Sequence, residues 1–225
     1  TDFGLFTCRD DITEEVHDLF NYLTGFSRIP RYRKLLVAPE GMRDSLVAQI
    51  DAVTAAHARG TAGGIVLKMN AIIDAVIIQA LFRASRAGVP IDLFVRGICG
   101  LRPGLAGVSE TIRVTSIIGN FLEHTRLCAF TIGDETRYLI GSADMMGRNL
   151  DNRVEVLTPV EDPGSCAELA AIIDLYRRDT ALAWRLSADG TWQRLTPARR
   201  EGAFNVHEAL KERTVARERA SLTQV

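Results

Sequence analysis

What the chain lacks narrows its chemistry first. Net charge is nearly absent: 27 Lys and Arg stand against 28 Asp and Glu over 225 residues, leaving −1 at neutral pH. That balance excludes a protein that grips a polyanion through its overall field, so an anion site here has to be a local pocket. Cysteines at ligand spacing are absent too. Cys8, Cys99, Cys128 and Cys166 lie far apart, with no C-x-x-C pair, which argues against a zinc site and against a secreted disulfide framework. No run approaches the roughly 20 apolar residues of a membrane span. The opening Thr-Asp-Phe-Gly-Leu-Phe-Thr does not read as a signal peptide. Thr1 in place of Met reads as a processed chain or a fragment. Lysine is scarce: Lys34, Lys68 and Lys211 are the three in the chain. Arginine supplies the remaining cations, in part through base composition and in part as the better fork for phosphate and carboxylate.

What is present is an ordinary globular balance, 47% hydrophobic and 24% charged, enough for one large domain or two small ones. Residues 12–25 carry apolar positions at Ile12, Val16, Phe20 and Leu23, the spacing of a helix stopped by Gly25. Ser27 to Lys34 is a polar, basic connector. Leu35-Leu36-Val37-Ala38 reads as a buried strand ended by Pro39. A helix with Met42, Leu46, Ile50 and Val53 on one face follows, then the strand Ile65-Val66-Leu67. A second helix over 74–87 has Asp74 as N-cap and Gly88 at its close, and Ile91–Val95 is a third strand. That alternation predicts right-handed crossovers and a parallel sheet. After a Gly- and Pro-rich loop over 97–110 come strands at Ile112–Ile117, Arg126–Thr131, Arg137–Ile140 and Val154–Pro159. Ile132-Gly133-Asp134-Glu135 is a hairpin turn between the second and third of these. A helix with Leu169, Ile172, Ile173 and Tyr176 on one face comes next, then a hairpin near Asp189-Gly190 and a charged helix from about Ala203. In that helix Glu208, Lys211, Glu212, Arg213, Arg217, Glu218 and Arg219 form a solvated face. Val206, Leu210, Val215 and Ala216 leave a thin stripe open to docking or oligomer contact.

Chemistry is expected at the strand ends. Lys68 and Arg96 each follow a wholly apolar strand, where open α/β sheets bind ligands. A cation there is either a salt bridge at the sheet rim or a ligand contact. His124 and Arg126 are two apart in extended chain and share a face. An imidazole suits proton transfer near neutral pH, and a guanidinium suits the oxygens of a transferring phosphoryl group. His17, His57 and His207 fall in helical patterns and are expected to be structural or solvated. Gly141-Ser142-Ala143-Asp144 follows a strand, with Arg148, Asn149, Asp151 and Arg153 behind it. The glycine permits close backbone approach and Ser and Asn donate hydrogen bonds.

The series His124-x-Arg126, Asp134, Gly141-Ser142 and Asn149 resembles the phospholipase D signature H-x-K…D…G-S…N, with Arg in place of Lys and a wider gap before Asp134. A closer resemblance lies in Asp18-Leu-Phe-Asn-Tyr22, Lys34-Leu-Leu-Val-Ala-Pro39, Leu67-Lys-Met-Asn70, Phe94-Val-Arg-Gly97, Leu101-Arg-Pro-Gly104, Phe121-Leu-Glu-His124, Gly141-Ser-Ala-Asp144, Arg148-Asn-Leu-Asp151 and Arg153-Val-Glu155. In this order, over residues 1 to about 186, they resemble the C-terminal part of the bacterial polyphosphate kinase family with phospholipase-D-like domains. That family usually has Trp after the Asp144 position; here it is Met145.

The resemblance implies an α/β fold, a phospholipase-D-like mixed sheet flanked by helices. It implies three parts: 1–34 as the trailing segment of a preceding domain, 35–186 as the catalytic domain, and 187–225 as a hairpin and charged helix. It implies reversible transfer of the ATP terminal phosphate to polyphosphate, with a phosphohistidine and Mg2+ ligands upstream of Thr1. His124 matches the second active-site histidine and Arg96 an ATP-binding arginine. Lys68, Asn70, Arg126, Ser142, Asp144, Arg148 and Asn149 match positions near the site, and Lys68, Arg96, Arg126 and Arg148 would form one cationic pocket. Partners would be ATP, ADP and polyphosphate, without nucleic acid, in a homo-oligomer that is cytoplasmic or peripheral to the membrane. A chain without the upstream histidine is expected to bind these ligands weakly and not to turn over. Two other readings stand beside this one: a phosphodiesterase half-site of the phospholipase D type, and a non-catalytic polyphosphate-binding module.

Overall fold

Apolar runs and amphipathic stripes resolve into nine strands and six helices in a computed structural model that describes residues 1–26, 32–196 and 202–222. Residues 27–31 of the expected connector lie outside the described residues. Strand β1 (Leu36–Ala38), helix α2 (Met42–Ala58), strand β2 (Gly63–Met69), helix α3 (Ala75–Arg86) and strand β3 (Ile91–Val95) follow in the expected order. Asp74 caps α3 by accepting from the Val76 and Ile77 N–H groups, and Gly88 closes the turn beyond it at φ +91°.

The continuous parallel sheet expected from this alternation does not form. Strands β2, β3 and β4 (Ile112–Ile117) are parallel neighbours. Beside β2, however, lies β5 (Arg126–Ile132), antiparallel, followed by β6 (Glu135–Gly141) and β7 (Glu155–Val160). Strand β1 pairs antiparallel with β7 at the far edge. The cause is the two-residue turn Gly133-Asp134, which makes β5 and β6 antiparallel partners. This meander fills the open edge of β2, so β1 keeps the direction of β2 but is separated from it by three strands. Strands β8 (Ala183–Leu186) and β9 (Trp192–Arg194) extend the other edge from β4, giving the order β1-β7-β6-β5-β2-β3-β4-β8-β9. The sheet is therefore mixed.

Its two faces bury different helices. Ile65, Leu67, Met69, Leu93 and Val95 pack with Leu46, Ile50, Ile77 and Leu81 of α2 and α3. Val66, Phe94, Leu127 and Ile140 pack with Leu169, Ile172, Ile173 and Tyr176 of α5 (Pro163–Arg178), and with Val206 at the start of α6 (Val206–Leu222). Period-2 alternation thus assigns β2 residues to opposite layers and sends Lys68 with Val66 to the α5 side.

Helix α1 (Asp10–Leu23) docks differently from its sequence pattern. Ile12 and Leu19 pack on Leu35 and Val37, while Val16, Phe20 and Leu23 of the expected stripe are exposed. Buried Glu15 decides the rotation. Its carboxylate accepts from the N–H groups of Arg33, Lys34 and Leu35 at 2.6–3.1 Å, donors at the entry to β1 that would otherwise be unpaired.

Candidate active site

The site grows from the carboxyl ends of β2 and β3. Asn70 follows β2 and Arg96 follows β3, and the Arg96 Nε donates to Asn70 Oδ1 at 2.9 Å. The Asn70 and Ala71 N–H groups donate to Asp144 Oδ1 at 2.7 and 3.3 Å. The other Asp144 oxygen accepts from Arg126 at 2.9 Å. Arg126 in turn donates to the His124 carbonyl at 2.5 Å. One hydrogen-bonded path therefore links Arg96, Asn70, Asp144, Arg126 and the His124 backbone. Asp144 and Arg126 are both buried, so each needs the other.

Gly141 brings the Asp144 turn into place. A Cβ at Gly141 would stand 1.9 Å from the Val156 carbonyl oxygen of β7, so no side chain fits. Ser142 is tied to the same strand: its N–H donates to the Val156 carbonyl at 3.1 Å, and its Oγ accepts from the Val156 N–H at 3.2 Å.

His124 is half exposed. Its N–H donates to the Thr1 carbonyl at 3.1 Å, and its ring Nδ1 lies 3.2 Å from Asp2 Oδ2. An ionised carboxylate only accepts, so in the neutral ring Nδ1 carries the proton and Nε2 keeps its lone pair. His124, Arg126, Ser142, Asp2, Phe3 and Thr158 line a cleft of about 420 Å³. Arg96 borders a neighbouring cleft of about 370 Å³, walled by Ile117–Glu123.

Lys68 sits deeper than the expected cationic pocket. Its Nζ lies 2.8 Å from Glu123 Oε2 and 5.0 Å from the centre of the Tyr176 ring, and its side chain is 6% exposed. Burial pushes the Lys68 ammonium below the usual lysine value, against the pull of Glu123. Burial also disfavours the Glu123 charge, but Lys68 and the hydrogen bonds around it hold that carboxyl below the usual carboxylate range. Glu123 Oε2 also accepts from Tyr176 at 2.6 Å and Thr1 Oγ1 at 2.9 Å, and Oε1 lies 2.7 Å from His207 Nε2. Burial and the Glu123 carboxylate drive the Tyr176 phenol well above its ordinary value. Lys68 and Arg126 are thus each neutralised within the protein, by Glu123 and Asp144.

The remaining expected residues separate. Asn149 is buried and donates to Glu155 at 2.5 Å. Arg148 is exposed beside it on the short helix α4 (Gly147–Asn152). Asp134 lies at the β5–β6 turn, roughly 20 Å along the strands from Arg126. Sequence reasoning missed five participants: Thr1, Asp2, Glu123, Tyr176 and His207. Tyr176 reads as core from its helical spacing. His207 is structural as expected, but buried rather than solvated. Glu123 stands inside the Phe121–His124 motif, and its burial has no signature in periodicity.

An α/β sheet that brings Lys68, Arg96, His124 and Arg126 to one end of its strands, with Lys68 and Arg126 paired to buried carboxylates, has the architecture of open α/β domains that bind ligands at that end. Residues 35–206 match the family model for the polyphosphate kinase C-terminal domain 2, and the chain belongs to that family. It is 48% identical over 215 residues to the polyphosphate kinase of Thermosynechococcus vestitus, covering 95% of this chain and 29% of that protein. The Synechocystis polyphosphate kinase is 50% identical over 198 residues, covering 88% and 27%. The crystal structure of polyphosphate kinase from Porphyromonas gingivalis superposes with a TM-score of 0.90 at 36% identity, covering 95% of this chain and 33% of that one. The chain spans under a third of the length of these curated relatives. No helix among the described residues is long and apolar enough to cross a membrane.

Proposed function

We propose that this chain forms the nucleotide-facing part of the active site of a polyphosphate kinase, which reversibly transfers the terminal phosphate of ATP to polyphosphate. In this reading a histidine upstream of residue 1 forms a P–N bond to the γ-phosphorus as the bond from the bridging oxygen breaks and ADP leaves. The terminal oxygen of polyphosphate then bonds to that phosphorus as the P–N bond breaks and the histidine is regenerated. The observation that supports the reading is the path from Arg96 through Asn70, Asp144 and Arg126 to the His124 carbonyl, which ties two arginines to the backbone that carries the imidazole. Arg96 and Arg126 would face the phosphate oxygens, and His124 Nε2 would hold or accept a proton. Ser142 would donate from the same cleft.

Magnesium is part of the expected reaction, but no group of three His, Cys, Asp or Glu side chains that could hold a metal ion occurs among the described residues. The Asp144 carboxylate is occupied by Asn70, Ala71 and Arg126. In this reading the magnesium ligands lie upstream of residue 1. The enzyme is expected to be a cytoplasmic homo-oligomer.

The test is ATP-dependent polyphosphate synthesis by the complete enzyme. His124→Ala is expected to lower kcat by about 10²–10⁴-fold, and Arg96→Ala to raise the KM for ATP. Wild-type turnover by His124→Ala would sink the reading and leave a polyphosphate-binding module. Cleavage of a chromogenic phosphodiester lost in His124→Ala would favour the phosphodiesterase instead.

A further inference from the structure

His207 is 2% exposed, far in sequence from the His124 motif, and no part of the reading above uses it. It enters from the first turn of α6 and meets the segment before His124 at three points. Its Nε2 lies 2.7 Å from Glu123 Oε1. Its Nδ1 accepts from the Phe121 N–H at 3.4 Å, and the two rings are 5.3 Å apart and tilted by 51°. A Cβ on Gly119 would stand 2.7 Å from His207 Nδ1, so the segment wraps the imidazole as closely as a glycine allows. Because Nδ1 accepts, Nε2 carries the proton and donates to Glu123. The neutral ring is satisfied at both nitrogens.

Glu123 is the pivot. His207 takes one oxygen, while Lys68, Tyr176 and Thr1 share the other. From Leu122 to Thr125 burial alternates: Leu122 exposed, Glu123 buried, His124 exposed, Thr125 buried. Pinning Glu123 from below therefore sets the angle at which the next residue, His124, leaves the chain.

We propose that His207 is a positioning residue, through which α6 fixes the Gly119–His124 segment and so places the His124 imidazole for phosphoryl transfer. The proposal rests on the polyphosphate kinase reading. It assigns to the expected tail helix a part in the chemistry without contact with substrate. Removing the ring should leave the nucleotide contacts of Arg96 in place and misplace His124. A displacement near 1 Å costs on the order of 10²-fold in rate.

The experiment compares variants of the complete enzyme in polyphosphate synthesis, each checked for folding by circular dichroism. His207→Ala is expected to lower kcat by roughly 10- to 100-fold, with the KM for ATP within about threefold of wild type. His207→Gln, whose amide nitrogen can replace the Nε2 donor, is expected to restore most of that loss. Gly119→Ala presses on the same ring and on Leu182 from the loop side and is expected to lower kcat in the same way; should His207→Ala fail to fold, a folded Gly119→Ala enzyme with wild-type kcat overturns the proposal. A folded His207→Ala enzyme with wild-type kcat overturns the proposal, as does an equal loss in His207→Gln. His124→Ala run in parallel separates the two readings. If it is inactive while His207→Ala is normal, the positioning role alone falls. If it is itself normal, the kinase reading falls first.

Discussion

Replacing Lys68 with Met tests the electrostatics under the site without changing its shape much. Met keeps most of the apolar stem of lysine and removes the ammonium. In the native protein that ammonium lies 2.8 Å from Glu123 with both side chains buried. After the substitution Glu123 keeps Tyr176, Thr1 and His207 as neutral donors but has no cation. Leaving one member of a buried ion pair uncompensated costs about 3–5 kcal/mol. For a chain of this size that corresponds to a fall in Tm of roughly 6–20 °C at pH 7. The pH dependence gives the sharper check. Lys68 holds Glu123 below the usual carboxylate range, so the native pair stabilises the fold above that range and loses its effect as pH falls through the depressed value. Without Lys68, burial is opposed only by the hydrogen bonds that remain, so Glu123 moves up from its native value. That penalty is present at high pH and relieved as acid protonates the group. The Tm difference between native and Lys68→Met should therefore narrow from pH 7 toward pH 4. Adding Glu123→Gln to Lys68→Met should recover much of the loss, since both charges are then gone. Calorimetric melts across that range suffice. A Tm within 2 °C of native at pH 7, or a difference that widens in acid, would refute the reasoning.

Three other outcomes are expected. Gly141→Ala forces a methyl against the Val156 carbonyl and should destabilise the fold by about 1–3 kcal/mol or more; urea denaturation measures it, and an unchanged midpoint would contradict the close approach. Glu15→Gln removes the carboxylate that accepts from Arg33, Lys34 and Leu35, at a cost of about 1–3 kcal/mol, and should speed amide hydrogen exchange at residues 33–35 under native conditions. Burial pushes the Cys128 thiol up to about 12, so iodoacetamide at pH 8 should label exposed Cys8 and spare Cys128 in the folded protein, as mass spectrometry can read.

The features legible in the sequence are those with local causes. Asp74 and Gly88 bracket α3 because capping and the left-handed turn are decided within a few residues. The Gly133-Asp134 hairpin is legible for the same reason. The place of β1 is not, because its partner β7 lies more than a hundred residues on and nothing in Leu36–Ala38 encodes which edge it joins. The face of α1 was misread because a buried glutamate outweighed an apolar stripe. At the site, His124, Arg126 and Ser142 share a motif region and one cleft. The fate of Lys68 was open in sequence because its partner, Glu123, carries no periodic signal and draws its other donors from positions 1, 176 and 207.

The two clasps on the His124 segment also bear on when the site can come into being. Asp2 reaches it across 122 positions and His207 reaches Glu123 across 84. During synthesis the sheet strands through β7 can pair as they emerge from the ribosome, and the histidine segment can already meet Thr1, Asp2 and Lys68, but its second clasp is missing until residue 207 has cleared the exit tunnel. Completion of the site is then a late step of biogenesis, and a nascent chain stalled before α6 would present His124 on a segment held by the first clasp alone.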